Sequence, residues 1–242
     1  MNVLPQKKIL RILILCYIVL LHLLLVVMVW KSDFLGKLQN RLFDQKEEEL
    51  TSFYNTMLSF HLRMDARIEE GAVLFIGDSM TQGLCGSCLS DRAVNFGIGG
   101  DTTRGVLNRI VQYRSVSHAK AVVLQVGVND LFWRDDAALL ENYTEILRLI
   151  PESTNLIISS LFPVDSTRVE KKSFSNSRIE KINKALHTRC ASLKHCTFVE
   201  MDNQLRDGNG NLKTEYYLGD GIHLSPAGYG LWEDRLKAAL LP

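Results

Sequence analysis

Phe75-Ile76-Gly77-Asp78-Ser79-Met80-Thr81-Gln82-Gly83 is the stretch on which the reading of this chain turns. The apolar run Ala72 to Ile76 reads as a buried β-strand, and it stops at Gly77-Asp78-Ser79. A strand that ends in Gly-Asp-Ser and turns into a helix sets a serine hydroxyl at the carboxyl edge of a sheet, where open α/β folds bind ligands. The first N–H groups of the following helix point outward and favour negative charge. Ser79 thus has the position of a nucleophile, and its own N–H that of a donor to an oxyanion. Taken alone the tripeptide also fits a simple turn with a helix-capping serine, so the rest of the chain has to decide.

Downstream, strands alternate with helices, which implies a parallel sheet with right-handed crossovers. Ala93 to Phe96 is a short strand running into the glycine-rich turn Gly97-Ile98-Gly99-Gly100-Asp101-Thr102-Thr103. Asp101 or Thr102 can cap the helix that follows, whose apolar face is Val106, Leu107, Ile110 and Val111. A dinucleotide-binding fingerprint fails here, because the spacing is Gly-x-Gly-Gly-Asp and it follows a second strand. Lys120 to Val126 is the strongest strand and suits the centre of the sheet. It ends at Gly127-Val128-Asn129-Asp130, so Asn129 falls at the same edge as Ser79 and offers two amide N–H donors.

Residues 137–150 read as a helix with Leu140, Leu147 and Ile150 on one side and Asn142 and Tyr143 nearer its edge. Residues 155–161 read as a fourth strand, 165–173 as a polar loop on the active-site side, and Thr197 to Met201 as a fifth strand after a long helix. The last segment holds Asp220 and His223, three residues apart, just before a helix with Ser225 at its cap and Pro226 at its first position. That spacing lets a carboxylate hold one imidazole nitrogen while the other faces a nucleophile.

This constellation resembles the SGNH (GDSL) hydrolases over roughly residues 71–240 of a domain read as 71–242, with the motif blocks in family order. Gly77-Asp78-Ser79 matches the nucleophile block, Gly100 the glycine block, Gly-x-Asn-Asp at 127–130 the third, and Asp-x-x-His at 220–223 the last. The first block reads Gly-Asp-Ser-Met where the family has Gly-Asp-Ser-Leu, at a position that does no chemistry. The run from Asn95 to Arg104 also resembles the catalytic subunits of intracellular platelet-activating-factor acetylhydrolase. The resemblance implies an α/β, three-layer flavodoxin-like fold around a central parallel sheet, and an ester hydrolase. It implies a triad of Ser79, His223 and Asp220, an oxyanion hole of Ser79, Gly100 and Asn129, and neither metal nor organic cofactor. Substrate does not transfer, because the family spans esterases, thioesterases, lysophospholipases and carbohydrate acetylesterases. The expected substrate is a small-molecule, glycan or lipid acyl ester, short-chain and above all acetyl. An O-acyltransferase on carbohydrate hydroxyls would use the same residues, and a non-catalytic binding module on this scaffold is the third reading.

The N-terminus differs in kind. Ile12 to Trp30 is an almost unbroken apolar run, close to the ~20 residues that cross a bilayer, behind a basic tail of residues 1–11. It is longer than a signal-peptide core and lacks an Ala-x-Ala cleavage site, so it reads as an uncleaved signal anchor, with a cleaved signal as the alternative. Basic residues on both sides nearly balance, and two hints place the catalytic domain on the extracytoplasmic side. One is the sequon Asn142-Tyr143-Thr144. The other is the pairing in sequence of Cys85 with Cys88 and of Cys190 with Cys196, which suits an oxidising compartment and favours local disulfides, free thiols being the alternative. Zinc and thioredoxin-like roles do not fit the spacing or context.

Residues 31–70 read as a helical stalk whose apolar stripe, Leu50, Phe53, Met57, Phe60 and Met64, packs on the domain, with His61 and Arg63 at the surface and Gly71 as the cap. With 28 basic and 27 acidic residues, the chain has no electrostatic pull toward nucleic acid.

Overall fold

The computed structural model describes residues 6–31, 49–169 and 174–241. The chain divides into two compact units, Met1–Glu48 and Glu49–Pro242. In the first, helix α1 (Gln6–Lys31) contains an apolar stretch, Lys7–Val27, long and apolar enough to cross a membrane. At a rise of ~1.5 Å per residue its 21 residues match a hydrocarbon core of about 30 Å. Residues 6–11 of the basic tail belong to this helix. Part of the expected stalk, residues 32–48, lies outside the described residues.

The second unit opens with α2 (Ser52–Asp65) and continues through β1 (Val73–Gly77), α3 (Ser79–Gln82), β2 (Ala93–Gly97), α4 (Thr103–Ile110) and β3 (Ala121–Gln125). Then follow α5 (Asp130–Trp133), α6 (Asp136–Arg148), β4 (Asn155–Ser159), α7 (Asn176–Ala191), β5 (Cys196–Val199), α8 (Asp202–Leu205) and α9 (Pro226–Leu240). All five strands are parallel in the order β2-β1-β3-β4-β5, the flavodoxin-type order, with β3 at the centre. Alternation along β1 serves both faces: Leu74 and Ile76 pack under α4, α6 and α7, while Val73 and Phe75 pack with Trp232 and Leu236 of α9. These are the outer layers of a three-layer sandwich.

Local sequence explains the helix boundaries. Asp78, Thr102, Asp135 and Ser225 each accept a hydrogen bond from a backbone N–H in the first turn of α3, α4, α6 and α9. Disulfides join Cys85 to Cys88 and Cys190 to Cys196, the second stapling the end of α7 to the start of β5.

Three expectations need correction. Of the stripe expected to pack on the domain, Leu50 and Met57 are half-buried, but Phe53, Phe60 and Met64 on α2 are exposed. The inward face is Tyr54, His61 and Asp65, with Leu58 and Leu62 against the core. His61, expected at the surface, is buried against Phe96 and takes a hydrogen bond at Nδ1 from the Tyr113 hydroxyl at 3.0 Å. Burial and the nearby Arg109 charge lower its pKa to about 4, so the ring stays neutral. Asp65 accepts the N–H groups of Arg114 and Ser115 at 2.7 and 3.1 Å. Apolar periodicity missed this face because satisfied polar groups hold it. Second, α2 ends at Asp65 with Ala66 as its cap, and Gly71, with φ of +83°, only opens the turn into β1. Third, Tyr143 is fully buried and donates to the Val126 carbonyl at 2.6 Å. Its neighbour Asn142 donates to Thr103 Oγ1 at 2.9 Å inside α6, so the sequon sits in an engaged helix and loses its value as a hint of glycosylation.

Candidate active site

The register of the sheet assembles the site. Gly77 pairs with Gly97 on one side and Gln125 on the other, so the segments after β1, β2 and β3 emerge side by side at the carboxyl edge. Those segments carry Ser79, Gly100 and Asn129. Gly77 has no alternative: a Cβ there would lie 1.9 Å from the Gln125 carbonyl oxygen and 2.2 Å from Thr81 Oγ1. The helix after the serine, α3, is a single turn capped by Asp78, so Ser79 is its first residue and not the cap. Gly100 has φ of +76°, in the left-handed region that favours glycine.

Ser79 Oγ lies 2.9 Å from His223 Nε2, and His223 Nδ1 lies 2.5 Å from Asp220 Oδ2. The other carboxylate oxygen accepts the backbone N–H groups of Ile222 and His223, both at 2.9 Å. Burial pushes the Asp220 carboxyl up, but the imidazole and those two N–H bonds outweigh it and hold it below the usual carboxylate range. An ionised carboxylate only accepts, so the proton sits on Nδ1 and Nε2 is the acceptor that faces the Ser79 hydroxyl. The side chains of His223 and Asp220 are 43% and 48% exposed, leaving the site open to water. Asn129 Nδ2 donates one N–H to the Asp101 carbonyl at 2.9 Å, which fixes the amide beside the glycine turn and leaves its second N–H.

Several residues that sequence reading passed over lock this edge. Gln82 Oε1 accepts the N–H of Gly99 at 2.7 Å, tying the serine turn to the glycine turn. Asn95 Nδ2 donates to the carbonyls of Thr81 and Leu84 at 2.7 and 3.0 Å. Arg109, fully buried, donates to Asp101 at 2.8 Å, to the Phe96 carbonyl at 2.8 Å and to the Gly77 carbonyl at 3.0 Å. It thereby joins the ends of β1 and β2 to the glycine turn. Burial raises the Asp101 carboxyl to about 6 despite the Arg109 charge. On the outer side, Glu49 accepts from Thr102 Oγ1 at 2.6 Å and pairs with Arg134, which also pairs with Asp130. Asp130 in turn accepts the N–H of Thr103 at 2.9 Å. The glycine turn is held from both ends. Thr102 and Asn129 gave a sequence signal through their motif neighbours, whereas Arg109 and Glu49 gave none.

A cavity of about 390 Å³ lined by Leu147, Arg148, Ile150, Arg189 and His195 lies at the opposite, amino-terminal edge of the sheet and is not part of this site. Among the described residues no group of three or more His, Cys, Asp or Glu is placed to hold a metal ion.

The chain matches the model of the GDSL-like lipase/acylhydrolase family over residues 75–231. It is 28% identical over 175 residues to the alpha2 subunit of platelet-activating factor acetylhydrolase IB of Rattus norvegicus, a match covering 69% of this chain and 74% of that one. A GDSL-like lipase of Bacteroides thetaiotaomicron has the same fold, with a TM-score of 0.66, 20% identity, and coverage of 76% and 96% of the two chains. So does the C-terminal catalytic domain of peptidoglycan O-acetyltransferase A of Streptococcus pneumoniae, with a TM-score of 0.53, 17% identity, and coverage of 71% and 93%. By its matched motifs and fold, the chain belongs to the GDSL-like lipase/acylhydrolase family and is an ester hydrolase.

Proposed function

We propose that the protein is a membrane-anchored serine esterase that hydrolyses short acyl esters, acetyl above all, through Ser79, His223 and Asp220. The observation that carries the reading is the relay from Ser79 Oγ to His223 Nε2 at 2.9 Å and from His223 Nδ1 to Asp220 at 2.5 Å. His223 takes the hydroxyl proton as Ser79 Oγ attacks the acyl carbonyl, and Asp220 stabilises the imidazolium that forms. The N–H groups of Ser79 and Gly100 and the free amide N–H of Asn129 receive the oxyanion, each such donor being worth ~2.7–4 kcal/mol. The imidazolium protonates the departing alcohol and leaves an acyl-serine. Water, deprotonated by His223, then releases the acid and restores the hydroxyl. Each step conserves protons, so no cofactor is required.

The exposure of His223 and Asp220 favours water as the acyl acceptor over transfer to a second hydroxyl. Short acyl groups are supported by the similarity to the platelet-activating factor acetylhydrolase IB alpha2 subunit. The helix spanning Lys7–Val27 supplies the anchor, and the two disulfides support an oxidising, extracytoplasmic location for the domain. The test is kcat/KM across acetyl, butyryl, octanoyl and palmitoyl esters of one leaving group. The expected result is a graded decline from acetyl, since one methylene changes discrimination by only ~1–3 kcal/mol. A steady rise to palmitoyl would overturn the short-chain reading, and transfer to an added sugar hydroxyl without net hydrolysis would replace the esterase with a transferase.

A further inference from the structure

The polar loop after β4 meets the loop that carries Asp220 and His223, and the residue at the meeting point is Asp165. Residues 217–224 close on themselves: Tyr217 and Leu224 form an antiparallel bridge, and the N–H of Leu218 donates to the His223 carbonyl at 2.9 Å. The bonds between Asp220 and His223 are internal to this loop. They orient the imidazole within it and do not set where the loop stands relative to Ser79. Asp165 supplies that setting at two points. Its N–H donates to the Gly221 carbonyl at 2.8 Å, between Asp220 and His223 in the chain. Its Oδ2 accepts the Tyr217 hydroxyl at 2.7 Å, at the start of the loop. Gly221 lies against the same residues: a Cβ there would stand 2.9 Å from Arg168 Cβ and 3.0 Å from the Asp165 carbonyl oxygen.

The carboxylate is itself held in place. Its Oδ1 accepts the N–H and the hydroxyl of Thr167 at 2.9 and 2.7 Å, and Asp165 and Tyr217 are both buried. Behind Asp165 the chain is tied to α7, where Asn183 accepts the N–H of Leu161 at 2.8 Å and Asn176 that of Val164 at 2.9 Å. Hydrogen bonds to an ionised group are shorter and roughly twice as strong as neutral ones, so the link to Tyr217 is well suited to fix a loop. We infer that Asp165 is a positioning residue: through Tyr217 and Gly221 it sets the loop so that His223 Nε2 stands 2.9 Å from Ser79 Oγ. The inference rests on reading Ser79 and His223 as the reacting pair. Loosening this link moves the imidazole away from the serine without parting it from Asp220. The chemical step therefore slows, while substrate binding and the titration of His223 stay as they are.

The test is steady-state hydrolysis of a soluble acetyl ester by the full chain, across pH, with thermal unfolding to show that each variant is folded. Tyr217→Phe removes a single oxygen and decides the matter even where Asp165→Ala does not fold. Both variants are expected to lower kcat roughly 10-fold, with KM unchanged and the acid limb of the kcat/KM profile in place. Asp165→Ala combined with Tyr217→Phe is expected to be no slower than Asp165→Ala alone, because both changes break one link. Asp165→Asn, whose amide still bonds the Tyr217 hydroxyl, is expected to keep most of the rate. An undiminished kcat in Tyr217→Phe overturns the inference. So does a rise in KM alone, which would place the loop in substrate binding, or a shifted acid limb, which would show the Asp220–His223 bond itself disturbed. Losses that multiply in the double variant also overturn it. Undiminished hydrolysis by folded His223→Ala overturns the reading of the reacting pair and the inference with it, whereas an inactive His223→Ala beside a fully active Tyr217→Phe overturns the inference alone.

Discussion

Arg109 and Asp101 meet at 2.8 Å with both side chains fully buried, directly behind the glycine turn of the serine site. The guanidinium also donates to the Tyr113 hydroxyl at 3.0 Å, so none of its bonding faces is left to water. Removing one partner strands the other charge. Arg109→Met should therefore cost about 3–5 kcal/mol, whereas Arg109→Met combined with Asp101→Asn should recover part of that loss. Thermal unfolding midpoints of the two variants check this. Equal destabilisation by the single and the double change would show that the pairing is not what matters.

Glu49 holds the outer side of the same turn through Thr102 and Arg134. Burial raises its pKa, but the bonds from Thr102 and Arg134 outweigh it and keep the carboxylate ionised. Glu49→Ala should loosen the turn that presents the Gly100 N–H and lower kcat roughly 10-fold, since small displacements of positioned groups are costly. Glu49→Gln, which still accepts from Thr102, should retain most of the rate. Steady-state kinetics on an acetyl ester separate the cases: a change in KM alone would place Glu49 in substrate binding instead.

Asp78 lies fully buried next to Ser79, and burial foremost pushes its carboxyl up to about 7, against N–H bonds from Met80 and Gly127. From an unfolded value of about 3.9 up to about 7, the folded chain holds more protons than the unfolded one. Stability from this group is thus complete below the unfolded value and is lost as pH rises through the folded one. Asp78→Asn keeps the cap and cannot ionise. Its stability relative to the natural chain should rise between pH 5 and pH 8, by at most about 3 kcal/mol. Unfolding midpoints at the two pH values decide, and parallel curves for both proteins would exclude Asp78 as the source.

The sheet and the serine relay were legible because each is written locally. Continuous apolar runs mark Val73–Gly77 and Ala121–Gln125 as buried parallel strands, and the turn residues after them mark the edge. Asp220 and His223 are three residues apart, so their pairing needs no tertiary knowledge. Arg109 was hidden because it occupies the same face of α4 as Val106 and Ile110, and only the fold supplies its carboxylate and carbonyl partners. The orientation of α2 was hidden for the opposite reason. Its apolar stripe is real, but His61 and Asp65 find buried partners in Tyr113 and Ser115, so the polar face goes inward.

The central claim is that Ser79, activated by His223, is the nucleophile. Labelling the full chain with a serine-directed fluorophosphonate, followed by mapping of the modified peptide, tests it most directly. The account predicts a single label on Ser79, lost in Ser79→Ala and slowed by a factor of about 10³ or more in His223→Ala, with both variants folded. A label on another serine, or undiminished ester hydrolysis by folded Ser79→Ala, would contradict it.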